Sequence, residues 1–156
     1  MKSALKITGI ILLVLLSLTV KISAQEETTF NTKEDSIRHN TVKQHNDFIL
    51  NHVEAMKNES VRSEKQFDKE SYMQHAQEMK MHATKAKEYV KNLQKGEKSV
   101  KESETKFNKT IKHYDNILQE EFKIEKELGM PATDHHKLAH YLSVILNELK
   151  KIEKEI

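Results

Sequence analysis

The chain has no cysteine and no tryptophan, and only one proline and three glycines in 156 residues. Each shortage removes a class of protein. Without cysteine there is no disulfide framework, no thiolate metal site, no c-type haem attachment and no lipid-modified cysteine, so the fold must be held by packing alone. With so few glycines there is no P-loop and no dinucleotide fingerprint. Ser36, Ser71, Ser99 and Ser103 are scattered through charged sequence with no oxyanion-forming glycine loop beside them, which argues against nucleophilic hydrolysis. The expectation is a protein that is not an enzyme.

Long apolar runs are also lacking, with one exception. The opening "MKSALKITGIILLVLLSLTVKISAQ" sets Lys2 and Lys6 before an apolar stretch and ends it on the small residues Ser23 and Ala24. That order reads as a cleavable signal peptide, residues 1–24. The apolar part, Ile7 to Val20, falls short of the roughly 20 residues needed to span a bilayer. Export to the periplasm or the medium follows as the expected localisation, with no stable membrane insertion after cleavage. Cleavage would remove three lysines and no acid, taking the formal charge from +2 to −1. No basic excess then remains to recruit nucleic acid. No feature names a protein partner. Residues 25–32 are polar and aperiodic and read as a flexible leader, leaving residues 33–156 as one domain.

What the chain does have is charge, 32% of residues, interleaved with apolar residues at three- and four-residue spacing. That pattern predicts an all-α fold of four helices. The first runs from about Lys33 to Asn58, the second from Gln66 to Lys95, and the third from Glu97 to Leu128. The fourth starts after "GMPATD", with Thr133 or Asp134 as its N-cap. Gly96 and Gly129 fall where helix C-caps belong. The expected core stripes are Phe48, Ile49, Val53 and Met56 on the first helix, and Tyr72, Ala76, Met79, Ala83 and Ala86 on the second. Ile111, Tyr114, Leu118 and Phe122 follow on the third, and Leu138, Leu142, Ile145 and Leu149 on the fourth. Short connections between such helices predict an antiparallel up-down four-helix bundle.

Histidine is in marked excess, with nine copies. On a helical wheel His45, His52, His75, His82 and His135 fall on apolar sides, whereas His39, His113, His136 and His140 fall on or near polar ones. A hairpin turn centred near Ser63 pairs Phe48 with Met79 as a core layer, and the same register sets His45 opposite His82 and His52 opposite His75. Carrying that register through tight turns at Gly96 and at Gly129–Pro131 brings Glu121 within a turn of the His52/His75 layer and Glu125 beside His135. One end of the bundle would then gather His52, His75, Glu121 and His135 as metal ligands, with His45 and His82 as a second site.

Imidazole and carboxylate donors without thiolate suit Zn²⁺ or Cu²⁺. A b-type haem between opposed histidines is disfavoured, since only a few alanines leave room for a porphyrin. The functional expectation is a non-catalytic, exported bundle that binds a transition metal for sequestration, delivery or sensing. The competing expectation is an interaction or stress-response bundle whose histidines are structural or pH-sensing.

Overall fold

In the computed structural model, residues 39–62, 66–96 and 101–155 are described. The expected signal peptide, residues 1–24, the expected leader, residues 25–32, and the first residues of the expected domain lie outside them. Four helices and no strand occur among the described residues. Helix α1 covers 39–60, α2 Lys69–Gly96, α3 Lys101–Leu128 and α4 His135–Glu155. None of the described helices is long and apolar enough to cross a membrane.

The two turns that precede α2 and α4 are built alike. Asp68 caps α2 by accepting the Ser71 N–H at 3.0 Å, and Asp134 caps α4 by accepting those of His136 and Lys137 at 3.0 and 3.2 Å. Behind each cap stands a buried glutamate from the end of the preceding helix. Glu59 accepts the backbone N–H of Asp68 at 2.8 Å, and Glu127 accepts that of Asp134 at 3.0 Å. The two turns also touch: Lys69 Nζ donates to the Met130 carbonyl at 3.2 Å. Gly129 ends α3 without the left-handed backbone expected of a C-cap glycine. Its role is spatial, since a Cβ there would lie 3.3 Å from the Lys126 carbonyl.

Among the described residues, nineteen buried apolar side chains make one core. Helix α1 contributes Val42, Ile49, Val53 and Met56, and α2 contributes Tyr72, Ala76, Met79, Ala83, Ala86 and Val90. From α4 come Leu138, Leu142, Ile145, Leu149 and Ile152. These stripes follow the sequence pattern. On α3 the buried face instead runs Thr110, Tyr114, Ile117, Glu121, Ile124 and Leu128, while Ile111 and Leu118 flank it and Phe122 is 64% exposed. Two stripes share Tyr114 and then diverge. The one that is buried ends on Ile124 and Leu128, whereas the one through Phe122 runs into Glu125 and would bury a second carboxylate beside Glu121.

Contacts between helices fix which residues face one another. His45 meets His82 and His52 meets His75, so numbers rise on α1 as they fall on α2. Between α2 and α3, Lys87 pairs with Asp115, and Gln94 donates to Asn108 at 2.9 Å. A tight turn at Gly96 would have put position 106 opposite Lys87. The facing residues on α3 lie nine positions, more than two turns, further along than that turn implies, and the break between the end of α2 at Gly96 and the start of α3 at Lys101 accounts for about half of this. Across α3 and α4, His113 meets Glu148 and Lys109 meets Glu155.

Candidate metal centre

His45 and His52 are seven residues apart on α1, and His75 and His82 are seven apart on α2, so each pair stays on one side of its helix. They do not sit at the centre of the apolar face. That centre is taken by Val42, Asn46, Ile49, Val53 and Met56 on α1 and by Tyr72, Ala76, Met79 and Ala83 on α2. All four histidines are half-buried along the α1/α2 seam. An imidazole at the seam keeps some hydration and escapes the full cost of burying a polar ring, which is why the pattern places it beside the core and not within it.

The two histidine pairs have nearly the same geometry. Nδ1 of His45 lies 3.2 Å from Nδ1 of His82, with ring centroids 5.4 Å apart. Nδ1 of His52 lies 3.2 Å from Nδ1 of His75, again with centroids 5.4 Å apart. The rings of His52 and His82 stack at 6.0 Å, and Phe48, 41% exposed, stacks on His82 at 4.5 Å. Phe48 therefore serves the seam more than the core.

Only one nitrogen of each facing pair can carry a proton at the contact. At the lower pair, Glu78 decides which. Its Oε2 lies 3.3 Å from His52 Nε2, and the carboxylate favours a proton there, leaving the His52 Nδ1 lone pair to accept from His75 Nδ1–H. Burial holds His52 below the ordinary imidazole pKa; Glu78 raises it and His75 lowers it further. The ring is thus neutral near pH 7, the form that ligates metal.

His52, His75 and Glu78 each offer a donor atom, and the three atoms lie within 4.8 Å of one another. Two nitrogens 3.2 Å apart subtend about 100–105° at an ion bonded to both at about 2.0–2.1 Å, close to a tetrahedral angle. An ion taking both Nδ1 atoms would require His75 to move its proton to Nε2. Glu78 could then serve as a third donor, or hold His52 through its outer nitrogen as carboxylates commonly hold metal-bound histidines. At the upper pair Glu78 also opposes the lowering of His82, but its pull is the weakest of the influences there. Lys85 is the charged neighbour that, after burial, lowers His45, and it adds to the lowering of His82.

Glu78 was not among the residues singled out from sequence. Its signal was its place three residues after His75, one turn along the same strip of helix.

Glu121 and His135 are engaged elsewhere. Glu121 is fully buried on α3 and neither of its oxygens has a hydrogen-bond partner, although Lys80 Nζ stands 3.2 Å from Oε2. Lys80 gives its hydrogen bond to Glu125, at 3.0 Å. Burial pushes the Glu121 carboxyl up to about 7, with Glu125 adding to the rise and Lys80 opposing it. His135 Nδ1 donates to the Ser60 carbonyl at 3.2 Å, and its ring meets the edge of Phe67 at 4.5 Å. His135 thereby links the two turns. The displaced α2/α3 register is the reason Glu121 faces Lys80 instead of joining the histidines. Met79, between the two histidines of α2, is fully buried in the core.

No protein-family model, no curated protein and no solved structure matches this chain.

Proposed function

We propose that this chain is an exported, non-catalytic, antiparallel up-down four-helix bundle that binds a transition-metal ion at its α1/α2 seam, for sequestration, delivery or sensing. His52 and His75 are the ligands, with Glu78 as third donor or orienting carboxylate. The observation that carries the reading is the meeting of two Nδ1 atoms at 3.2 Å with a carboxylate in reach. The opposed numbering of paired residues between α1 and α2 supports the antiparallel arrangement, and the N-terminal apolar run supports export.

Nitrogen and oxygen donors favour Zn²⁺ or Cu²⁺. A haem fits poorly. Two axial nitrogens at about 2 Å on opposite sides of an iron stand about 4 Å apart with a porphyrin between them, and neither pair leaves that gap.

Calorimetric titration of the chain with Zn²⁺ and Cu²⁺ tests the reading. Sub-micromolar binding should weaken at least about 100-fold in His52→Ala or His75→Ala, and about tenfold in Glu78→Gln. Absent binding, or binding indifferent to these changes, leaves the other reading, an interaction bundle. In that case the 3.2 Å contact is simply a hydrogen bond between neutral rings.

A further inference from the structure

Residues His75-Ala76-Gln77-Glu78 and His82-Ala83-Thr84-Lys85 are consecutive heptads of α2. Seven residues are close to two turns, so each member of the second heptad repeats the environment of the first about 10.5 Å along the helix. His75 and His82 each meet an α1 histidine at 3.2 Å, Nδ1 to Nδ1. Ala76 and Ala83 are both fully buried beneath them. The position three residues after the histidine holds a carboxylate in one heptad and an ammonium in the other.

We propose that His45 and His82 form a second transition-metal site in series with the first, and that Lys85, standing where the first site has Glu78, makes it the weaker of the two. The proposal shares with the functional reading the premise that seam imidazoles ligate metal, but stands on different residues.

Geometry supplies the site. The upper pair has the same Nδ1 separation as the lower, and hence the same bite of about 100–105° on an ion at about 2.0–2.1 Å. Phe48 stacked on His82 at 4.5 Å helps fix that ring. Charge sets the difference. Glu78 would neutralise part of a divalent ion's charge at the first site, whereas the Lys85 ammonium repels one at the second. Two divalent ions about 10 Å apart repel one another even through partly solvated protein, so the sites fill in sequence, the one with the carboxylate first. The remaining coordination positions of the upper ion would be open to solvent, which suits a site that accepts an ion and passes it on.

Lys85 is exposed, so its replacement leaves the fold intact. Titrating the wild-type chain with Cu²⁺ should show two steps. His82→Ala should remove the weaker and His75→Ala the stronger. Lys85→Glu should tighten the weaker step by about tenfold or more and leave the stronger within about twofold. A single step in both wild type and Lys85→Glu, unmoved by His82→Ala, overturns the second site while leaving His52, His75 and Glu78 standing. Binding lost in His82→Ala but indifferent to His75→Ala does the reverse, removing the functional reading and keeping this one.

Discussion

The α1/α2 seam and the α3/α4 seam both bury histidine, and they use it in opposite ways. On the first, imidazole faces imidazole, with Glu78 the one carboxylate that joins the cluster. On the second, His113 Nδ1 lies 2.8 Å from Glu148 Oε2, and the same oxygen accepts from Asn116 at 2.9 Å while Lys151 takes the other at 2.5 Å. Burial alone would raise the Glu148 carboxyl. Hydrogen bonds from Lys151, Asn116 and His113 outweigh it and hold the group down at about 2. His113 shares its carboxylate with Asn116 and Lys151 and meets no second imidazole there, so it acts as a strut between α3 and α4. Two facing imidazoles share one proton at their contact, and moving it to the outer nitrogen of His75 would leave two lone pairs aimed at one point. The comparison teaches that a metal is to be sought where imidazoles converge on one another.

Removing the strut should produce the largest effect. Glu148→Ala strips His113, Asn116 and Lys151 of a shared acceptor that is 4% exposed, and leaving such donors unpaired costs about 3 kcal/mol. His52→Ala, in metal-free protein, loses one half-buried contact and should cost about 1 kcal/mol or less. Urea unfolding of both variants measures the contrast. Equal losses would make the histidine seam as structural as the other and remove the distinction between them.

How much of this the sequence disclosed depends on how far each inference had to travel. The pairing of His45 with His82 and His52 with His75 was legible because a single short hairpin carries it and the apolar layers of two adjacent helices set its register. The α2/α3 register was not, because a lone glycine was taken as the turn centre, whereas α2 runs through to Gly96 itself and α3 starts at Lys101. That displacement sent Glu121 to Lys80 and left His135 to tie the turns. His113 looked outward on its own wheel; its partner Glu148 is on another helix, and a wheel sees one helix at a time. Glu78 escaped for a related reason: it reaches His52 across the helix seam, and the wheel of α2 alone does not show that. The helical class and the cap at Asp134 needed only local chemistry.

Glu121 offers a second, smaller test, on the side of the core away from any strut. Its folded-state pKa is raised to about 7, so it binds a proton on folding that the unfolded chain, at about 4.3, does not hold. Its contribution is fully present below about pH 4 and is lost as pH rises through 7. Glu121→Gln removes that loss. The variant should gain on the order of 1–2 kcal/mol over wild type at pH 8 and little at pH 5, by urea midpoints at the two values. An equal change at both would mean the carboxyl is ionised throughout, and that Lys80 compensates it as Lys151 compensates Glu148.

The smallest effect is the most informative about the seam. Burial lowers His45, His52 and His82 below the ordinary value, assisted by Lys85 at His45, by His75 at His52, and by His45, His52 and Lys85 at His82, with Glu78 opposing at the last two. A depressed folded-state pKa means the unfolded chain takes up protons first, so this contribution is present above about pH 6.5 and is lost as pH falls below it. Glu121 changes in the opposite sense over part of the same range, so the measurement belongs in the Glu121→Gln background. There the urea midpoint should fall between pH 7.5 and 5.5, by less than either effect above, since the rings are only partly buried. Glu148 contributes nothing to that fall, its own loss beginning near pH 4 and running down to about 2. Adding His45→Gln and His52→Gln should flatten the profile. A profile flat without those changes, or steep despite them, would mean the seam imidazoles do not resist protonation. The seam nitrogens would then compete with protons for a metal as ordinary imidazoles do.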